Sequence, residues 1–192
     1  MEKSIALFGT SADPPTIGHK KILEELSRIY AFTISYVSNN PKKKHKEDIS
    51  IRSHLLKTLI EDLDTPNILF NQSVSSQWAV ESIKKCKEIY EFNNLDFVIG
   101  SDLIKDIFYW KNFKKITDEV SFLIILREGY PVESNTLNML ETYKVKFKIS
   151  TIKIPNISSS KFRLNFNCSN LPSSLIDIVK KNNLYESIKL VE

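Results

Sequence analysis

The chain has 192 residues, with 27 Lys and Arg against 23 Asp and Glu for a net charge of +4, and 42% of it is hydrophobic. That length suits one domain with a sizeable core, and the apolar share excludes a disordered chain. The charge balance excludes a polyacidic or polybasic tail and is too mild to argue for nucleic acid. Cys86 and Cys168 offer neither a metal-binding spacing nor a disulfide framework. The short apolar stretch ending at Phe8 does not read as a signal peptide, and no run is long enough to cross a bilayer. A soluble, cytoplasmic, single-domain protein (1–192) is therefore expected.

In chain order, Ser4–Phe8 reads as a strand, and Gly9–Gly18 as a loop holding Pro14 and Pro15. From His19 onward, Ile22, Leu23, Leu26, Ile29 and Tyr30 recur at helical spacing. Phe32–Val37 is β-branched and aromatic, which predicts a second strand; a Lys-rich loop (Asn39–Lys46) follows it. Ile51, Leu55, Leu56, Leu59, Ile60 and Leu63 then line one helical face. Asn67–Asn71 is predicted as a strand, Gln77–Tyr90 as a helix, Asp96–Ile99 as a strand and Asp102–Ile107 as the start of a further helix. Ser121–Leu126 is apolar on consecutive residues, as expected for a strand covered on both faces. Leu137–Tyr143 reads as helical and Lys146–Ile154 as extended. Two C-terminal helices, Ser159–Asn165 and Ser173–Asn182, complete the chain, with Pro172 at the entry to the second. This alternation predicts an α/β fold: a doubly wound, mostly parallel Rossmann-like sheet with helices on both faces and a C-terminal helical segment. In such sheets ligands bind beyond the C-terminal strand ends, which directs attention to the loops after Phe8, Val37, Ile99 and Leu126.

Glycine sharpens that expectation. The chain has four, Gly9, Gly18, Gly100 and Gly129, where average usage gives roughly 13. A chain so sparing is expected to keep glycine for positive φ or for backbone pressed against a ligand. The first loop lacks both the G-x-G-x-x-G fingerprint and a Walker A lysine, but it carries Thr16-Ile17-Gly18-His19 at a helix start. Free N–H groups and the helix dipole there favour a phosphate, and His19 can donate to an oxygen gaining charge. An ordinary proline-rich turn with a capping threonine is the alternative. A second helix start, Ile157-Ser158-Ser159-Ser160-Lys161-Phe162-Arg163, offers hydroxyls and an arginine on roughly one face. Together the two turns could grip a polyphosphate from both sides.

These two motifs resemble those of the nucleotidyltransferase superfamily that carries (H/T)-x-G-H followed by I-S-S-x-x-x-R. Within it the chain is similar to the bacterial nicotinate-nucleotide adenylyltransferases, over almost its whole length. The likeness includes His45-Lys46 followed by Arg52, Ile99-Gly100-Ser101-Asp102 with Trp110 beyond, Arg127-Glu128-Gly129-Tyr130, Leu171-Pro172 and Asn183-Leu184-Tyr185. It departs at Thr10 (commonly glycine), Ala12 (commonly Phe), Thr16 (often His) and Gln77-Trp78-Ala79 (commonly S-Y-T).

The resemblance implies transfer of AMP from ATP to nicotinate mononucleotide by in-line attack, with Mg²⁺ carried on the ATP phosphates and no protein-built metal site. It implies catalytic roles for His19, Thr16, Lys46 and Arg163. ATP is expected on Gly9, Thr10, Gly18, His19, Gly100, Asp102, Ile157, Ser158, Ser159 and Arg163. The mononucleotide is expected on Ser11, His45, Lys46, Trp78, Ala79 and Trp110. Asp102 reads either as an acceptor of ribose hydroxyls or as a helix cap, and Trp78 and Trp110 either as ring platforms or as core. Phosphopantetheine or nicotinamide mononucleotide are the alternative acceptors within the same chemistry. A basic RNA-binding module built on Lys42–Lys46 is the rival of another class; it requires basic residues spread along a face with aromatics between them, and the chain has one such run. Neither nucleic acid nor membrane is expected as a partner, and homo-oligomer formation is left open.

Overall fold

The computed structural model describes residues 4–41, 43–152 and 154–186. Six strands form one sheet: β1 (Ser4–Thr10), β2 (Phe32–Val37), β3 (Ile68–Phe70), β4 (Asn94–Gly100), β5 (Ser121–Ile125) and β6 (Phe147–Ile149). Their order is β3-β2-β1-β4-β5-β6, and every pairing is parallel. The chain therefore winds outward from β1 in one direction, returns to the centre and winds outward in the other. That is the doubly wound arrangement, and its switch point lies between β1 and β4.

Seven α-helices occur among the described residues: α1 (Ile17–Ile29), α2 (Ile49–Asp62), α3 (Ala79–Ile89), α4 (Phe113–Glu119), α5 (Ser134–Thr142), α6 (Ser159–Asn165) and α7 (Ser173–Lys181). They divide between two cores, one on each face of the sheet. Leu23 and Leu26 of α1, Leu55, Leu56 and Leu59 of α2, Phe162 of α6 and Val179 of α7 pack on one face, against Ala6, Phe8 and Val98. Ile83 and Cys86 of α3, Ile116 of α4 and Leu140 of α5 pack on the other, against Ile5, Leu7 and Phe97. The consecutive apolar residues of β5 split the same way, Leu123 and Ile125 to one core and Phe122 and Ile124 to the other. A strand flanked by helices on both faces has no wet side, which is why its sequence does not alternate.

The elements differ from the sequence expectations in three places. Asp102–Ile107 is no α-helix; two 3-10 turns, Ser101–Leu103 and Ile107–Tyr109, carry the chain across the end of β4. The short helix α4, whose apolar face is little more than Ile116, has no clear periodicity to announce it. The extended stretch after Lys146 pairs only over Phe147–Ile149, as the outermost strand of the sheet. At the C-terminal end Asn183 adopts φ +50°, the left-handed conformation that asparagine tolerates best after glycine.

Candidate active site

A cleft of about 990 Å³ opens over the C-terminal ends of β1 and β4. It receives every residue that the sequence marked except Lys46, whose side chain is exposed outside it. His19 and Arg163, the two charged or polarisable ends of the two motifs, both line it.

The imidazole of His19 is fixed from both sides. The Thr16 backbone N–H donates to Nδ1 at 3.1 Å and the Thr16 hydroxyl lies 2.9 Å from the same nitrogen. A backbone N–H can only donate, so Nδ1 carries no proton and the neutral ring bears its hydrogen on Nε2. Nε2 points at the Thr10 hydroxyl, 2.9 Å away. Burial first, then the charges of Arg127 and Lys43, push the His19 pKa down to about 3. The ring is therefore a neutral Nε2–H donor at the mouth of the switch point. Thr16, fully buried at the N-cap of α1, orients this donor through Nδ1.

The second motif is bolted to the first loop through Asp13, a buried carboxylate. Its oxygens accept the backbone N–H groups of Lys46 at 2.7 Å and Glu47 at 3.2 Å. Arg163 Nη1 lies 3.5 Å from the same carboxylate and donates to the Asp13 carbonyl at 2.5 Å. His45 approaches it at 3.7 Å, and burial lowers the pKa of that imidazole. Three segments distant in sequence thus meet on one side chain. The Ser159 hydroxyl donates to the Pro14 carbonyl at 2.8 Å, which pins α6 to the first loop and leaves no hydroxyl proton for a phosphate. The Ser158 hydroxyl caps α6 by accepting from Lys161 N at 3.2 Å, so its own proton stays available. Arg52, buried within α2, donates to the carbonyls of Ser11 at 2.7 Å and Glu47 at 3.0 Å, holding the two loops from behind. The Ser11 hydroxyl and His45 Nε2 are buried without a partner among the described residues.

The glycines mark where parts of the protein meet. A Cβ on Gly18 comes within 3.3 Å of the Ile157 carbonyl, and one on Gly9 within 2.6 Å of the Tyr36 ring. A Cβ on Gly100 collides with the Asp102 carboxylate, and Gly129 supplies the positive φ, +82°. The absence of a side chain at Gly18 also admits the turn before α6, bringing the two motifs together.

On the β4 side one oxygen of Asp102 accepts from Arg127 Nη1 at 2.9 Å, while the other is buried without a partner among the described residues. Trp110 is half-buried, its ring edge-to-face with Phe97 at 5.9 Å and Phe122 at 6.4 Å, and it also lines the cleft. Trp78 precedes Ala79 at the start of α3, and the Lys111 ammonium lies 5.3 Å from its ring centre. Both tryptophans thus join core packing to a face on the cleft.

Lys46 is the departure. Its backbone N–H is turned onto Asp13, which leaves its side chain pointing away, whereas Lys43 and Lys44 line the cleft. Lys42 lies outside the described residues. Sequence reasoning also gave no role to Asp13, Arg52 or Arg127. Asp13 looks like an ordinary turn residue before proline, and a buried arginine on an apolar helical face has no local signature; only the resemblance quoted Arg52 and Arg127.

The chain is similar to known proteins in sequence and in fold. Residues 7–165 match the family model described as cytidylyltransferase-like. A Synechocystis protein named "Probable nicotinate-nucleotide adenylyltransferase" is 27% identical over 196 residues, covering 94% of this chain and 98% of its own. An Acholeplasma laidlawii protein of the same name is 26% identical over 196 residues, covering 97% and 100%. The solved structure of Plasmodium falciparum nicotinic acid mononucleotide adenylyltransferase complexed with NaAD superposes with a TM-score of 0.79 at 24% identity, covering 95% of this chain and 97% of that one. With the family model spanning the switch-point cleft and both motifs, this chain belongs to the cytidylyltransferase-like family.

Proposed function

We propose that the protein is a nicotinate-nucleotide adenylyltransferase, transferring AMP from ATP to nicotinate mononucleotide with release of pyrophosphate, as a single domain in the cytoplasm. The observation that carries this reading is the convergence of His19, Ser158 and Arg163 on one cleft at the switch point. The names of the full-length relatives support the choice of acceptor.

The 5′-phosphate of the mononucleotide attacks the α-phosphorus of ATP in line, and pyrophosphate leaves on the opposite side. No protein nucleophile takes part, so the protein contributes position and charge stabilisation. His19 donates Nε2–H to an α-phosphate oxygen as charge builds there, exchanging its bond to Thr10. Thr16 keeps that proton on Nε2. Gly9 and Thr10 present the strand end on which the α-phosphate rests, and Gly18 lets the turn at Ile157 close on it. The Ser158 hydroxyl and the unspent N–H groups of Arg163 hold the β- and γ-phosphates, with Ser159 anchoring that turn. Gly100 and Asp102 face the adenosine, where the unpartnered oxygen of Asp102 accepts from a ribose hydroxyl. Trp110 and Trp78, with Ala79 at the start of α3, flank the pyridine ring; a flat indole meets a flat heterocycle at small entropic cost. Ser11 and His45 face the mononucleotide phosphate, and Lys46 contributes through its main chain by fixing the loop on Asp13.

Among the described residues no group of three or more His, Cys, Asp or Glu is gathered to hold a metal. Of the carboxylates lining the cleft, Asp13 is engaged by backbone N–H groups and an arginine, and Asp102 is engaged through one oxygen by Arg127. Mg²⁺ would enter as part of the MgATP substrate and supply charge neutralisation on the phosphates.

The test is pyrophosphate release from MgATP with nicotinate mononucleotide, nicotinamide mononucleotide or phosphopantetheine as acceptor. Release fastest with nicotinate mononucleotide is expected. A preference for phosphopantetheine contradicts the assigned acceptor, and release with none of them contradicts the enzyme.

A further inference from the structure

A triphosphate brings several negative charges into the cleft, yet most cations lining it are already committed. Arg127 is bound to Asp102 at 2.9 Å, Arg163 to Asp13 at 3.5 Å and Lys111 to Glu81 at 3.2 Å. Lys161 bonds Asn156. Lys43 and Lys44 line the same cleft, and neither forms an ion pair among the described residues.

The shape of the second loop separates these lysines from Lys46. Two backbone N–H groups, of Lys46 and Glu47, dock on Asp13, and neither residue lines the cleft. Three residues earlier, Lys43 N closes a turn on the Asn40 carbonyl at 3.1 Å, and the exposed Lys43 side chain lines the cleft. Its ammonium feels Asp102, Asp106 and Arg127 beside the end of β4, and its charge in turn acts on His19. Removal from water lowers the pKa of this ammonium. It is an exposed cation at the cleft, near the imidazole, that feels the Asp102 and Asp106 carboxylates but forms an ion pair with neither.

Resting on the adenylyltransferase reading, we propose that Lys43, and not Lys46, is the catalytic lysine of this loop, placing its ammonium on the phosphates of ATP opposite Arg163. A point charge on a flexible stem suits a group that must follow negative charge as it passes to the leaving pyrophosphate. The turn at Asn40 and the docking at Asp13 make the choice between the lysines a property of the backbone rather than of side-chain rotamers.

The experiment measures calorimetric binding of Mg²⁺ with α,β-methylene-ATP to the whole chain carrying Lys43→Ala, Lys44→Ala, Lys46→Ala or Lys57→Ala, followed by turnover kinetics. Lys57 is a surface lysine paired with Glu61 and serves as the charge control. Lys43→Ala is expected to weaken the analogue at least tenfold and to lower kcat as well, with Lys43→Arg restoring much of both. Lys46→Ala and Lys44→Ala are expected to weaken it threefold or less, and Lys57→Ala to leave it unchanged. An affinity within threefold of wild type in Lys43→Ala, or an equal or larger loss in Lys44→Ala or Lys46→Ala, overturns the assignment. Unchanged melting temperatures separate loss of binding from loss of fold. If wild type binds the analogue but adenylylates neither pyridine mononucleotide, the acceptor reading fails while the lysine comparison still decides this one.

Discussion

At Thr16–His19 two of the four residues, Thr16 and Gly18, are buried and the half-buried imidazole is held by two threonines, Thr16 on Nδ1 and Thr10 at Nε2. At Ser158–Arg163 the side chains are half-exposed and the guanidinium is occupied by Asp13. The first turn therefore offers one donor of fixed direction and protonation, which is what stabilising a developing charge requires. The second offers donors that must be shared with the protein's own loop, which suits holding a substrate better than accelerating its reaction. Asp13 joins the two, so removing it should blur the difference between them.

The largest expected effect breaks the first turn. His19→Ala should lower kcat by about a hundredfold or more, the usual loss for one preorganised donor, with circular dichroism unchanged. Near-normal turnover removes His19 from the chemistry. The protonation state can be checked directly by ¹⁵N NMR of the imidazole, which should show a neutral Nε2–H ring from pH 7 down past pH 5. Folded His19 stays unprotonated down to about pH 3, whereas in the unfolded chain it takes a proton near pH 6.5. Acid thus favours the unfolded state across that window, and the contribution is lost as pH falls from about 6.5 toward 3. His19→Gln should flatten this part of the stability profile, and a profile of unchanged slope contradicts the buried neutral ring.

Asp13→Ala attacks the junction. It strands the N–H groups of Lys46 and Glu47 and removes the ion pair of Arg163, which keeps its bond to the main-chain carbonyl of residue 13, so urea unfolding should report a loss of about 2 kcal/mol. Because the same substitution lets both turns drift, the KM for ATP should rise more than kcat falls. A variant of wild-type stability would show that the loops are held without Asp13. The smallest effect is expected for Gly18→Ala. The methyl presses on the Ile157 carbonyl at 3.3 Å, while alanine favours the helix by up to about 1 kcal/mol over glycine. Stability should change little, while the KM for ATP rises a few-fold as the second turn is pushed back.

Much of the molecule could be read from the chain. Strands such as Phe32–Val37 and helices such as Ser159–Asn165 fall at their expected bounds, because β-branched runs and capped apolar stripes are local signals. The two motifs stood out in the sequence as candidate sites at helix starts, and the structure brings them to one cleft. What stayed hidden depends on contacts across the fold. Ser159 looked like a phosphate donor until its proton was found on Pro14, 145 residues away in sequence. Lys46 looked like the loop cation, but its direction is set by backbone bonds to Asp13, 33 residues earlier. The two 3-10 turns after β4 replace an expected helix because the chain must cross the strand end there, with the Ser101 hydroxyl bonded to the Tyr130 carbonyl and the Arg127 N–H.

The most direct measurement is a crystal structure with Mg²⁺ and α,β-methylene-ATP bound. An α-phosphate oxygen within hydrogen-bond reach of His19 Nε2, with the β- and γ-phosphates against Ser158 and Arg163, is the predicted result. A triphosphate seated elsewhere, or touching one motif without the other, contradicts the account.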